Sequence, residues 1–188
     1  MEKKRLYIFC ACIFPLMVCS GILYSMFSLY LFRVLQVSER QIGLLYMVGS
    51  LAGFSFAPLV GNLSDRRGRK IVIVASIASF AIIFLVYSLV RNYRFLYPLQ
   101  ALEGTSWVAM GAAASAYVAD IVPPERRGWA MGIYQRTMSL GWIIGPAIAG
   151  FLFEILGFQR TFLIGAIVTC VSLVPALLFV KESKKPKM

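Results

Sequence analysis

The stretch GNLSDRRGRK, residues 61–70, decides how the rest of the chain is read. It packs Asp65, Arg66, Arg67, Arg69 and Lys70 into ten residues. The runs on either side, Gln41 to Val60 and Ile71 to Val90, contain no Asp, Glu, Lys or Arg. A dense charge cluster between two apolar runs of about 20 residues is the pattern of a turn between two membrane-crossing helices. Gly61 is suited to close packing at a helix end, and Gly68 to a turn with positive φ. Asp65 is placed to meet exposed N–H groups at a helix start, and the basic residues to neutralise carboxylates or lipid.

Working outward, the same pattern recurs along all 188 residues. The mean hydropathy is +0.78 and only 14% of the residues are charged. A single soluble core of this size cannot hide that much apolar surface. Six spans are expected, at about 6–32, 41–60, 71–90, 95–118, 129–153 and 161–180. Each is long enough to cross a hydrocarbon core about 30 Å thick. The first follows Lys3, Lys4 and Arg5, and its apolar stretch far exceeds a secretory signal core of about 7–15 residues, so it reads as a retained helix. The expected fold is an all-α, multi-pass membrane bundle covering residues 1–188.

The net charge of +11 is an orientation signal. With six spans, thirteen Lys and Arg fall on the side of the two termini and the 61–70 turn, and five fall opposite. The positive-inside rule then makes both termini cytoplasmic, facing anionic lipid of the plasma membrane. Aromatic and basic residues do not interleave as in a strand-binding groove, so nucleic acid is not an expected partner. The tail KESKKPKM reads as the start of a cytoplasmic linker. There is no histidine, and the four cysteines all lie in spans. No metal, cofactor, nucleophile–base pair or phosphate loop is expected, which argues against an enzyme.

A shift of 89 residues lays the second span on the fifth. Gly43 meets Gly132, Gly61 meets Gly150, Asp65 meets Glu154 and Gly68 meets Gly157. Repeats of three helices run in opposite directions through a bilayer. The spans therefore read as two inverted three-helix repeats, a construction used by secondary transporters.

Residues 61–70 also match G-x-L-[AS]-D-R-x-G-R-[KR] at every specified position, and so resemble the major facilitator superfamily. Two further stretches carry the resemblance. One is Asp120, Arg127 and Gly128 in ADIVPPERRG; the other is Gly141-x-x-x-Gly145-Pro146-x-x-Ala149-Gly150, close to the family's antiporter pattern. Gly141 and Gly145 form a small-residue face for another helix, and Pro146 is expected to bend its own. The resemblance implies an N-terminal six-helix half of a transporter that rocks between two open states. It implies that Arg69 pairs with Asp120, and that Asp65 faces a helix end in a second six-helix half, together forming a breakable latch. That second half would be another chain or a second copy of this one.

Gln100, Glu103, Trp107, Met110 and Tyr117 recur at helical steps and form one stripe on the fourth span. In the resemblance this helix lines the substrate cavity. Where the family often has R-x-x-Q-G, this chain has Gln100-Ala101-Leu102-Glu103-Gly104, which inverts the local charge. Glu103 lies about 13 Å from the nearer helix end by helical rise. An ionisable residue at that depth is costly and marks function by default. It is a candidate proton-coupling or cation-binding carboxylate. Arg136, about 12 Å into the fifth span, is open to three readings: a partner for Glu103, a contact for an anionic substrate, or a snorkelling side chain. The expected function is proton-coupled efflux of small amphipathic solutes. The alternative is a non-transporting remnant or membrane assembly partner.

Overall fold

The computed structural model describes residues 2–183. The basic tail residues Lys184, Lys185 and Lys187 lie outside them. The described chain is all-helical: α1 (Glu2–Arg33), α2 (Glu39–Arg67), α3 (Arg69–Leu89), α4 (Leu96–Asp120) and α5 (Arg127–Phe179). Single 3-10 turns, Tyr93–Phe95 and Pro124–Arg126, precede α4 and α5. α5 is broken at Gly157, whose φ of 75° and ψ of 169° lie outside the helical region, leaving arms 127–156 and 158–179. α1, α2, α3 and the stretch Pro124–Phe179 are long and apolar enough to cross a membrane.

The helices follow the apolar runs but overrun them. α2 continues through GNLSDRR, and only Gly68 interrupts the helical path before α3 starts at Arg69. The charged stretch is thus the last two turns of one helix and the first of the next, rather than a ten-residue loop. Gly68 takes φ 102° and Gly157 φ 75°. Among the described residues these are the two positive-φ glycines, and they stand 89 residues apart. A residue with a Cβ is strained in that conformation. Pro146 lies inside a continuous helical stretch, and the break in helical geometry within α5 falls at Gly157. A methyl group at Gly61 would meet nothing within 4 Å, so this glycine does not serve close packing here.

α1 packs against α5, α2 against α4, and α3 against both α4 and α5. The two main crossings are built alike. In the first, Gly49 and Gly53 of α2 lie on Gly104 of α4. A Cβ at Gly53 would sit 2.9 Å from the Gly104 carbonyl oxygen, and one at Gly104 would overlap the Gly49 backbone. In the second, Gly141 and Gly145 of α5 lie on α1. A Cβ at Gly145 would sit 2.6 Å from the Val18 carbonyl oxygen, and one at Gly21 2.9 Å from that of Gly141. In each case a G-x-x-x-G pair on one helix meets a single glycine on the other. Backbones that approach this closely gain dispersion contacts that lipid cannot supply.

α1 runs through the middle of the bundle, with Leu6, Phe9, Ile13, Leu16 and Phe27 fully buried. By contrast α2 and both arms of α5 expose broad apolar faces, including Phe54, Leu59, Phe151 and Ile155. In a bilayer such faces meet lipid or another helix.

The α2–α4 crossing gives a direct prediction. Gly104→Val should destabilise the bundle by at least about 3 kcal/mol, because the added atoms meet backbone that cannot step aside. Gly111→Val, on the same helix but in open space, should leave the thermal midpoint nearly unchanged. Equal midpoints for the two variants in detergent would show that the crossing is not formed.

Candidate functional site

Two polar constellations stand out, one deep in the bundle and one at the end where α2, α4 and the second arm of α5 finish.

The deep one centres on Glu103, which is only 1% exposed. Its Oε2 accepts a hydrogen bond from the Tyr87 hydroxyl of α3. Tyr24 of α1 faces the same carboxyl group. Tyr87 is itself buried, with its ring against Phe27 at 4.8 Å. Glu103 is therefore held between α1, α3 and α4, away from any cation among the described residues. Burying a carboxylate without a countercharge is costly, and protonation relieves that cost.

Beside it lies a groove of about 350 Å³ between α1, α2, α4 and α5. Tyr24, Tyr46, Trp107 and Trp142 form its aromatic walls, and Gln100, Gly49 and Gly104 lie along its base. Tyr24 stacks on Trp142 at 5.7 Å and meets Trp107 edge-on at 6.1 Å. Gln100 is 4% exposed, and its Nε2 has no hydrogen-bond partner among the described residues. The groove thus offers flat aromatic surface and a wall residue, Tyr24, shared with the buried carboxyl group.

Only part of the α4 stripe reaches this groove. Gln100 and Trp107 line it, Glu103 lies behind it, and Met110 and Tyr117 are buried in the core. Tyr117 packs on Phe9 of α1 with ring centroids 4.7 Å apart. Arg136 is exposed on the first arm of α5 and forms no ion pair with Glu103 among the described residues.

The second constellation centres on Arg69, which is 8% exposed. Its guanidinium pairs with Asp65 one turn earlier, lies 3.4 Å from Asp120 at the end of α4, and donates to the Ser64 hydroxyl at 3.2 Å. Arg127 donates to the Ala119 carbonyl at 3.2 Å and ties the start of α5 to the same corner. Gly128 and Gly150 face open space, and Arg66 is exposed. Lys70 donates to the Leu177 carbonyl at 2.6 Å.

Glu182, just beyond the second arm of α5, completes this corner. Its carboxylate accepts from the backbone N–H groups of Arg69 at 2.9 Å and Lys70 at 3.2 Å, which caps α3. Ser183 then donates to Asp120 at 3.2 Å, and Arg5 of α1 donates to the Lys181 and Glu182 carbonyls. Sequence reading passed over Glu182 because it stands in a basic tail that looks solvated. It also passed over Tyr87, a single hydroxyl in an apolar span, and the Gly49–Gly53 pair. The spacing of that pair was a usable signal, since it repeats the spacing of Gly141 and Gly145.

The described residues form an all-helical apolar bundle, with a buried carboxyl group beside an aromatic groove and a charged corner at one end, as in a multi-pass membrane protein. The sequence profile described as Major Facilitator Superfamily matches residues 9–188. The chain belongs to that superfamily. It is 33% identical over 144 residues to Multidrug resistance protein MdtG of Proteus mirabilis (strain HI4320), across 77% of this chain and 36% of that protein. To Multidrug resistance protein 2 of Bacillus subtilis (strain 168) it is 28% identical over 151 residues, across 80% and 38%. It therefore spans little more than a third of the length of these curated relatives. Among solved structures, 98% of the chain superposes on 49% of the human organic anion transporter MFSD10 (TETRAN), with a TM-score of 0.77 and 18% identity. All of it superposes on 44% of a bacterial homologue of the human lysosomal transporter Spinster, in an inward-facing and unoccupied conformation, at 0.69 and 15%. These two likenesses bear on the fold alone.

The cap by Glu182 is open to test. Glu182→Ala should cost about 0.5–2 kcal/mol, the usual range for losing a helix cap, and should speed amide hydrogen exchange at Arg69 and Lys70. Unchanged exchange at both amides would show that the carboxylate does not hold them.

Proposed function

We propose that this chain is one six-helix half of a proton-coupled secondary transporter that exports small amphipathic solutes by alternating access. The observation that carries this reading is Glu103, buried without a cation among the described residues and sharing Tyr24 with an aromatic groove of about 350 Å³. A carboxyl group so placed gains or loses a proton at the cost of changing its contacts with Tyr24 and Tyr87. Those contacts link its charge to the shape of the groove. Aromatic walls suit flat apolar solutes, and a carboxylate behind them favours a positively charged end. The names of the multidrug resistance relatives agree with export of such solutes.

Six crossings follow if α4 and each of the two arms of α5 span the bilayer, with the turn at Gly157 between the arms. The match of Gly157 to Gly68 at an interval of 89 residues supports an inverted three-helix repeat. So does the paired construction of the two glycine crossings. The end that carries Arg69, Asp120 and Glu182 is then cytoplasmic, by the excess of Lys and Arg there. A cavity between two bundles needs a second six-helix half. The exposed apolar faces of α2 and of the first arm of α5 suit such a neighbour, in another chain or a second copy.

In the working cycle the Arg69 corner acts as the latch. With the cytoplasmic side closed, Asp65 on the exposed face of α2 meets a helix end of the second half, while Arg69 holds α2, α3 and α4 together. Opening breaks the contact across the seam and leaves the Arg69–Asp120 pair within this half.

Two measurements test the reading. In proteoliposomes holding the native complex, Glu103→Gln should abolish solute movement driven by a pH gradient while solute still binds; full gradient-driven transport by this variant would remove the coupling role. The mass of the complex extracted with its native lipids should correspond to two six-helix units. A lone chain would leave Asp65 with no contact across a seam and would favour the non-transporting alternative.

A further inference from the structure

α2 and α3 touch little and each leans on α4 instead, so a furrow opens between them on the face away from the aromatic groove. It encloses about 390 Å³. Val60 and Leu63 of α2 and Ile71 and Ala75 of α3 form its walls, and Thr105 and Ala109 of α4 form its floor. The lining is mostly apolar: the Thr105 hydroxyl is spent on the Ala101 carbonyl of its own helix at 2.8 Å, and Ser79 and Ser106 add two further hydroxyl-bearing residues. Ser76, also in the furrow, is likewise spent on the Val72 carbonyl at 2.9 Å. At the end of the furrow stands Arg67, the last residue of α2. Arg67 is exposed and has no hydrogen bond or ion pair among the described residues, whereas its neighbour Arg69 is fully engaged.

We propose that this furrow is a binding site for an anionic phospholipid, with part of one acyl chain lying between α2 and α3 and the headgroup phosphate on Arg67. The physics follows from the surroundings. In a bilayer an apolar furrow left empty forfeits contacts on every wall atom, and acyl chains are the medium that fills it. From Ile71 to Ser79 the α3 wall runs about 12 Å by helical rise, enough for the part of a chain nearest the headgroup. Arg67 then sits at headgroup level, where a guanidinium grips phosphate in a planar, bidentate fashion. Its charge adds a preference for a lipid with net negative charge. Arg67 occupies the one unspecified place between Asp65 and Lys70 in the residue pattern of that stretch, so the latch does not account for it. A lipid held there braces α2 against α3 at Gly68, the turn around which the charged corner is built.

Native mass spectrometry of the intact complex, supplied with phosphatidylglycerol and phosphatidylcholine of equal chain length, tests the proposal. Phosphatidylglycerol should be retained in preference. Arg67→Gln should reduce that preference about fivefold. Arg66→Gln, one residue away but outside the furrow, should leave it unchanged. Ala75→Trp, which fills the furrow from an exposed position without entering the core, should lower retention of both lipids. Equal losses in the two arginine variants, or full retention in Ala75→Trp, would reduce the effect to general surface charge and overturn the site. A photoreactive residue at position 75 should capture lipid in the native membrane. Capture of a protein chain instead would show that the furrow is covered by a neighbour, and would also overturn it.

Discussion

The close crossing of backbones at glycine is the constraint on which the rest of the structure depends. At Gly49, Gly53 and Gly104, α2 lies on α4 with no side chain between them; at Gly21, Gly141 and Gly145, α1 lies on α5 in the same way. Helices in lipid gain nothing from leaving water, so association rests on packing. Two contacts of this kind fix the angles of four helices. They leave the space beside Gly49 and Gly104 as the aromatic groove, and they draw α4 inward far enough to bury Glu103 against Tyr87 of α3.

The charged corner follows from a second local constraint, the positive φ at Gly68. Because the chain turns there in a single residue, Asp65 and Arg69 end up one helical turn apart across the break, and the first N–H groups of α3 are left open. Glu182 fills them from the far end of the described chain, and Ser183 extends the link to Asp120. The ends of α2, α3, α4 and α5 thus meet at one point through charged hydrogen bonds, which are strong but can be broken without disturbing the apolar packing.

Much of this was legible in the sequence, and the remainder was hidden for identifiable reasons. Uninterrupted apolar runs announce helices whatever they pack against, and the turn at Gly68 is encoded by that glycine itself. Of the partners of Arg69, the family resemblance implied Asp120 alone, whereas Asp65 and Ser64 emerge only from the folded corner. The depth of Glu103 follows from its distance along the helix, whereas its Tyr87 partner depends on how α3 and α4 are set side by side, which no local pattern records. Gly61 and Gly49 look alike in sequence, yet one faces open space and the other another backbone. Glu182 was obscured by composition: one acid among lysines reads as solvated until the fold returns it to the start of α3. Pro146 lies within continuous helix, and the non-helical residue inside α5 is Gly157.

The central claim is that the charge of Glu103 and the occupancy of the aromatic groove are coupled. Proton release on solute binding measures this directly. The native complex is placed in weakly buffered solution, and a cationic aromatic solute is added while pH is recorded. The account predicts that binding releases protons from the wild-type complex and that the release disappears in Glu103→Gln while binding persists. Tight binding without proton release in the wild type, or release that survives in Glu103→Gln, would contradict it.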